Sequence, residues 1–230
     1  YPLCGPSTTV SSIDSLEDAI DEESDYDPEF TAITGWHRAP IYNRIRAEGI
    51  QSFLDEEGLD PNDPDTTFVF SAHGTPRKYL DEGSRYDQYV EEHAAAVSGM
   101  LGIEEYEIGY QNHANRGIEW TEPETEDVVV DLGDDAERVI VEPMSFMHEQ
   151  SETLVELDVD LAEDASEVGL DLYRVPVPHD DPRFPDLLAD VAEPFLSGFA
   201  PSYYQLRQCQ CRNKEGTFCF NAELPPQASD

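Results

Sequence analysis

The sequence predicts an α/β fold: a Rossmann-like, four-stranded parallel sheet flanked by helices. Three observations carry this. After residue 65, short apolar runs alternate four times with helical periodicities, the pattern of βαβ units. Polar residues collect where the apolar runs end, as at Ala72-His73-Gly74. With 230 residues, 39% of them hydrophobic, the chain can bury a core without staples.

The elements follow in order. Residues 1–30 are polar and acidic with a Ser/Thr patch, and Ser12–Ile20 reads as a short acidic helix. Phe30–Ile33 reads as a short strand. Pro40–Leu54 places Ile41, Ile45, Ile50 and Leu54 at helical spacing. Asp60–Asp65 is a Pro/Asp/Asn loop and marks a boundary. Strands are expected at Phe68–Ser71, Tyr106–Tyr110, Arg138–Val141 and Leu170–Val175. Helices are expected at Tyr86–Leu101, Thr125–Leu132, Glu152–Leu161 and Pro185–Leu196. The tail from Pro201 is polar and carries three cysteines.

The charge balance narrows the function. Fifty-one acidic residues face 13 basic ones, a formal net charge of -38, and the lysines are Lys78 and Lys214. Neutralising phosphates needs basic patches, so nucleic acid is excluded as a partner, and anionic membranes are disfavoured. The acidic residues run along the whole chain, which reads as adaptation to a salt-rich cytoplasm. Molar salt shortens the Debye length to about 3 Å and suppresses the self-repulsion. Apolar runs such as Thr67–Ala72 are too short to span a bilayer, and no basic-then-apolar leader is seen. Tyr1 rather than Met comes first, which reads as a processed or incomplete chain.

In parallel sheets, ligands bind beyond the carboxyl ends of the strands. His73, Gln111-Asn112-His113 and Pro143–Glu152 all fall there. A neutral imidazole at His73 can accept a proton or ligate a metal, or simply cap the following turn. Glu152, Glu156 and Asp160 are four apart, on one face of a helix anchored by Leu154 and Leu157, with Glu149 just ahead. Such a ladder suits passage of a hard divalent cation or of protons. A solvated acidic face is the competing reading. Trp120 in Gly117-Ile118-Glu119-Trp120, with Met144 and Phe146, fits either a flat apolar pocket or ordinary core. No glycine-rich phosphate loop and no Gly-x-Ser-x-Gly elbow is present, which disfavours a nucleotide cofactor and a serine nucleophile. Cys4, Cys209, Cys211 and Cys219 offer four thiolates, suited to a [2Fe-2S] cluster or structural zinc, or left as plain thiols in the tail.

Several motifs in register resemble the ferrochelatase family. These are Phe70-Ser71-Ala72-His73-Gly74-Thr75-Pro76, Asp81-Glu82-Gly83-Ser84-Arg85-Tyr86, Gln111 with Gly117–Trp120, Pro143-Met144-Ser145-Phe146, and Glu152-Thr153-Leu154-Val155-Glu156-Leu157-Asp158. The resemblance runs from Tyr1 to about Leu196. It implies a chelatase-type lobe that inserts Fe²⁺ into protoporphyrin IX or coproporphyrin III in haem synthesis. It implies His73 and Glu152 as the catalytic pair, Glu149, Glu156 and Asp160 as a metal path, and Gln111, Trp120, Met144 and Phe146 in the porphyrin pocket. Gln150 stands where many relatives have histidine. Some ferrochelatases carry a [2Fe-2S] cluster with three ligands in the tail and one in the Tyr-Pro stretch, which implies Cys4, Cys209, Cys211 and Cys219 here. The implied organisation is a remnant of the first lobe with a crossover helix in 1–60, the second lobe in 61–200 and a cysteine-bearing tail in 201–230. The chain thus reads as an N-terminally incomplete member of the family. Runner-up readings are a chelatase for another tetrapyrrole, such as sirohydrochlorin with cobalt, and a non-catalytic porphyrin- or iron–sulfur-binding module. The sequence is silent on oligomeric state and leaves a homodimer open.

Overall fold

The computed structural model describes residues 1–23, 28–112, 117–198, 206–209, 211–212 and 214–220; His113 lies outside them. Its strands are β1 (Ala32–Thr34), β2 (Thr66–His73), β3 (Glu107–Gln111), β4 (Arg138–Pro143), β5 (Asp171–Arg174), β6 (Arg207–Gln208) and β7 (Thr217–Cys219). Its α-helices are α1 (Ser11–Glu22), α2 (Pro40–Glu57), α3 (Arg77–Asp81), α4 (Tyr86–Leu101), α5 (Thr125–Asp131), α6 (Ser151–Leu154), α7 (Leu161–Glu167) and α8 (Phe184–Leu196).

The main sheet has the order β3-β2-β4-β5 and is parallel throughout. Period-2 alternation divides β2 between two layers. Phe68, Phe70 and Ala72 face a core built with Ala47, Ile50 and Leu54 of α2 and Val90, Ala94 and Val97 of α4. Val69 faces the opposite side with Val139, Val141, Val129 of α5 and Leu161 of α7. Each large apolar side chain buried this way contributes roughly 1.5–3 kcal/mol. The two layers leave β2 apolar on both faces, which is why the run Phe68–Ala72 reads so clearly in the sequence. Register pairs His73 with Gln111 and Ser71 with Pro143 at the carboxyl edge. The expected polar convergence is therefore a consequence of strand pairing. An added Cβ at Gly109 would stand 2.7 Å from the Thr125 Cα, so glycine there lets α5 close against β3.

Two expectations need correction. The helix expected at Glu152–Leu161 is broken. Helix α6 stops at Leu154, Val155 leaves ideal helical geometry (φ -111, ψ -59), and Glu156–Asp160 form a π-helical turn before α7. Strict α-helical stacking would align three like charges at four-residue spacing, and the wider turn relaxes it. Leu157 anchors this turn, while Leu154 remains 48% exposed. The tail is also more than a polar extension. β7 pairs in parallel with β1, and β6 pairs antiparallel with β7, so the two ends of the chain share a second sheet.

Candidate active site

His73 ends β2, and its backbone is held from two sides. Its N–H donates to Ser145 Oγ at 2.8 Å, and its carbonyl accepts from the Tyr86 hydroxyl at 2.8 Å. The ring Nδ1 lies 2.7 Å from the Gly74 carbonyl, which can only accept, so Nδ1 carries the hydrogen. Nε2 then presents its lone pair to the cleft. Asn112 meets it there. The Asn112 amide nitrogen is 3.1 Å from His73 Nε2 and 3.3 Å from Glu152 Oε1, so its two hydrogens bridge base and acid. Asn112 adopts φ 62, a left-handed conformation that asparagine tolerates better than most residues.

Glu152 opens α6, and its carbonyl accepts from Gln111 Nε2 at 2.8 Å. Gln111 Oε1 accepts from Ser71 Oγ at 2.7 Å, and Ser71 Oγ lies 2.8 Å from Thr125 Oγ1. A buried polar chain thus ties α5, β2 and β3 to the start of α6. Gln111 orients Glu152 from beneath rather than lining the cleft above it.

That cleft has a volume of about 150 Å³ and is walled by Tyr1, Leu3, Thr8, Tyr86, Ser145 and Phe146 around His73 and Glu152. The Phe146 ring centroid is 6.3 Å from that of His73. Met144, expected in the pocket, is 1% exposed and packs into the core on the α2/α4 side of the sheet. Trp120 is half-buried and bridges to Pro76, on the loop that leaves His73.

A second cleft of about 250 Å³ lies beyond Gln111 and Asn112, lined by Glu124, Glu126, Glu156, Asp160 and Asp164. Glu156 lines this second cleft. Burial pushes its carboxyl up, a hydrogen bond from Gln111 and the nearby His73 work against this, and Glu152 and Asp160 add to it. The carboxylates therefore remain in electrostatic contact although the helix is broken. Glu149 turns elsewhere. It accepts from Arg174 Nη1 at 2.6 Å and from the Val177 N–H at 2.8 Å. Burial raises its pKa, but hydrogen bonds from Thr153, Val177 and Arg174 outweigh this and hold it low.

The thiols form a separate centre. Cys4, Cys209 and Cys211 place their sulfurs within 4.8 Å of one another, and the Cys4 and Cys209 sulfurs are 3.8 Å apart, far beyond a disulfide. Thr34 Oγ1 donates to Cys209 Sγ at 3.3 Å, and Cys219 lies opposite Thr34 in the β1–β7 register. Hydrogen bonds from Cys211, Cys219 and Cys4 pull the Cys209 thiol far down, while hydrogen bonds to Cys209 and Cys211, with burial, push Cys4 far up. Three sulfurs gathered this closely, unbonded to one another, are a soft donor set that fits a thiolate-bound metal centre.

Asn112, Ser145 and Tyr86 were not singled out by sequence reasoning as site residues. For Asn112 the available signal was its place directly after Gln111 at a strand end.

The fold is of the chelatase class. The solved structure titled as CbiX, the terminal enzyme for biosynthesis of siroheme in denitrifying bacteria, superposes with a TM-score of 0.51 over 87% of this chain and 74% of that one at 16% identity, a likeness of fold alone. The family profile described as Ferrochelatase matches residues 1–195. Ferrochelatases of Nostoc punctiforme and Thermosynechococcus vestitus are 35% and 31% identical over 196 and 221 residues, covering 83% and 93% of this chain. The chain belongs to the ferrochelatase family. It spans about half the length of the curated relatives it matches, 50% and 55% for these two.

Proposed function

We propose that this chain carries the metal-insertion site of a ferrochelatase that places Fe²⁺ in protoporphyrin IX or coproporphyrin III, in the cytoplasm. The observation that carries the reading is the single Asn112 amide bridging His73 Nε2 and Glu152 Oε1. Two pyrrole N–H protons must leave as the iron enters, so a base is needed over the ring centre. His73 Nε2 is the group with a lone pair fixed toward the cleft, because Nδ1–H is committed to Gly74. When a substrate N–H reaches Nε2, the Asn112 amide retains Glu152 as its partner. Glu152 then stabilises the imidazolium and passes protons on.

Glu156 and Asp160, with Glu124, Glu126 and Asp164 around them, supply a carboxylate route for a hydrated divalent cation. Imidazole and carboxylate bind Fe²⁺ weakly enough to release it to four pyrrole nitrogens. Phe146 offers an apolar wall beside His73. The cleft of about 150 Å³ is small beside the roughly 300–1,000 Å³ of ordinary ligand pockets. A macrocycle would overhang it, and the reading includes a second wall facing His73.

The thiols of Cys4, Cys209, Cys211 and Cys219 are the proposed ligands of a [2Fe-2S] cluster, in a structural or sensing role since insertion of Fe²⁺ transfers no electrons. The acidic surface is the proposed adaptation to a salt-rich cytoplasm.

The test is anaerobic mixing with Fe²⁺ and porphyrin, followed by loss of porphyrin fluorescence. His73→Ala should abolish insertion while circular dichroism stays native. Normal turnover in that variant would refute the assignment.

A further inference from the structure

Tyr89 lies on α4 and is 2% exposed, yet its hydroxyl has no hydrogen-bond partner among the described residues. A phenol is not buried this way without cost, and such groups ordinarily find a partner. The ring is fixed on one side by His37, with ring centroids 5.2 Å apart. The same core cluster contains Cys4, Cys209 and Cys219. The hydroxyl is thus a donor with no acceptor among the described residues, set in the core that holds these thiols. The thiols can offer it little, because they already serve one another and Thr34.

We propose that the Tyr89 hydroxyl donates a hydrogen bond to a sulfur of the [2Fe-2S] cluster held by Cys4, Cys209, Cys211 and Cys219, and so tunes its reduction potential. This inference rests on the cluster reading above. A donor aimed at a cluster sulfur withdraws negative charge from it. Adding one electron makes the cluster more negative, so the bond strengthens on reduction and raises the potential. Tyr89 is a positioning and tuning residue here; it is not a ligand.

The experiment compares the wild-type chain with Tyr89→Phe, which removes one oxygen and keeps the ring packed on His37. Iron, acid-labile sulfide and zinc are measured first. The midpoint is then found by anaerobic titration with dithionite as electron donor, followed by electron paramagnetic resonance. Both proteins should contain iron and sulfide in equal amounts. The variant should be harder to reduce by about tenfold in the equilibrium, which is 59 mV for one electron. An unchanged midpoint with the cluster present in both would overturn the role of Tyr89 and leave the cluster standing. Zinc, or an absence of iron and sulfide, in the wild-type protein would overturn the cluster and this inference with it.

Discussion

Replacing Arg46 should unfold this protein more readily than almost any other single change, and the structure says by how much. Arg46 on α2 and Glu142 on β4 are each 1% exposed and form an ion pair inside the core. Burial opposes the Arg46 charge, but Glu142, aided by Tyr42 and Glu149, keeps it fully protonated. The guanidinium also donates to the Phe146 and Pro143 carbonyls, both at 3.0 Å. Arg46→Met would strand the Glu142 carboxylate and leave two carbonyls without donors. Breaking a buried pair from one side costs about 3–5 kcal/mol, a large share of the roughly 5–15 kcal/mol that holds a domain together. Glu142→Gln should cost less, because the amide oxygen still accepts from Arg46. The double replacement Arg46→Met with Glu142→Met removes both charges and should recover most of the loss. It should remain about 2 kcal/mol below wild type because the two carbonyls stay unpaired. Urea denaturation at constant salt reads these differences, and the double-mutant cycle should give strong coupling. Strictly additive single effects, or an Arg46→Met protein as stable as wild type, would refute the reasoning.

Acid should weaken the fold in two stages. Burial, then neighbouring positive charge from His37 and Arg46, holds His93 well below its ordinary 6.5, and burial holds His37 down despite Glu92. The unfolded chain therefore binds more protons, and stability falls as pH drops below about 6.5. Denaturation midpoints in His93→Phe should show a shallower first slope, the remainder belonging to His37. A second loss should follow below the ordinary 4.5 of glutamate, as Glu149 and Glu92, both held low in the folded chain, take up protons. With a net charge of -38, the thermal midpoint should rise steadily from about 0.1 M to about 2 M KCl as screening shortens the Debye length toward 3 Å. A falling midpoint would contradict the expected salt adaptation.

Legibility in the sequence followed the physics of each feature. The strand Thr66–His73 was plain, because a central parallel strand is apolar on both faces and its polar end stands out. His73 and Glu152 could be placed at neighbouring strand ends for the same reason. The π-helical turn at Glu156–Asp160 could not be read, because nothing in local propensity separates it from an α-helix. The β1–β7 pairing joins opposite ends of the chain, and a three-residue strand such as Thr217–Cys219 carries no periodicity to announce it. Arg46 and Glu142 were hidden by composition, since a charged residue in so acidic a chain reads as surface. Met144 lay in the right loop, but its apolar side chain served the core equally well, and the core claimed it.

We propose that iron meets porphyrin between His73 and Glu152. Diffraction at the iron absorption edge, from crystals of the chain grown anaerobically with porphyrin and Fe²⁺, locates both at once. The macrocycle centre and an anomalous iron peak should stand between His73 Nε2 and the Glu152 carboxylate. Bound porphyrin elsewhere, with iron confined to the cysteines, would contradict the account.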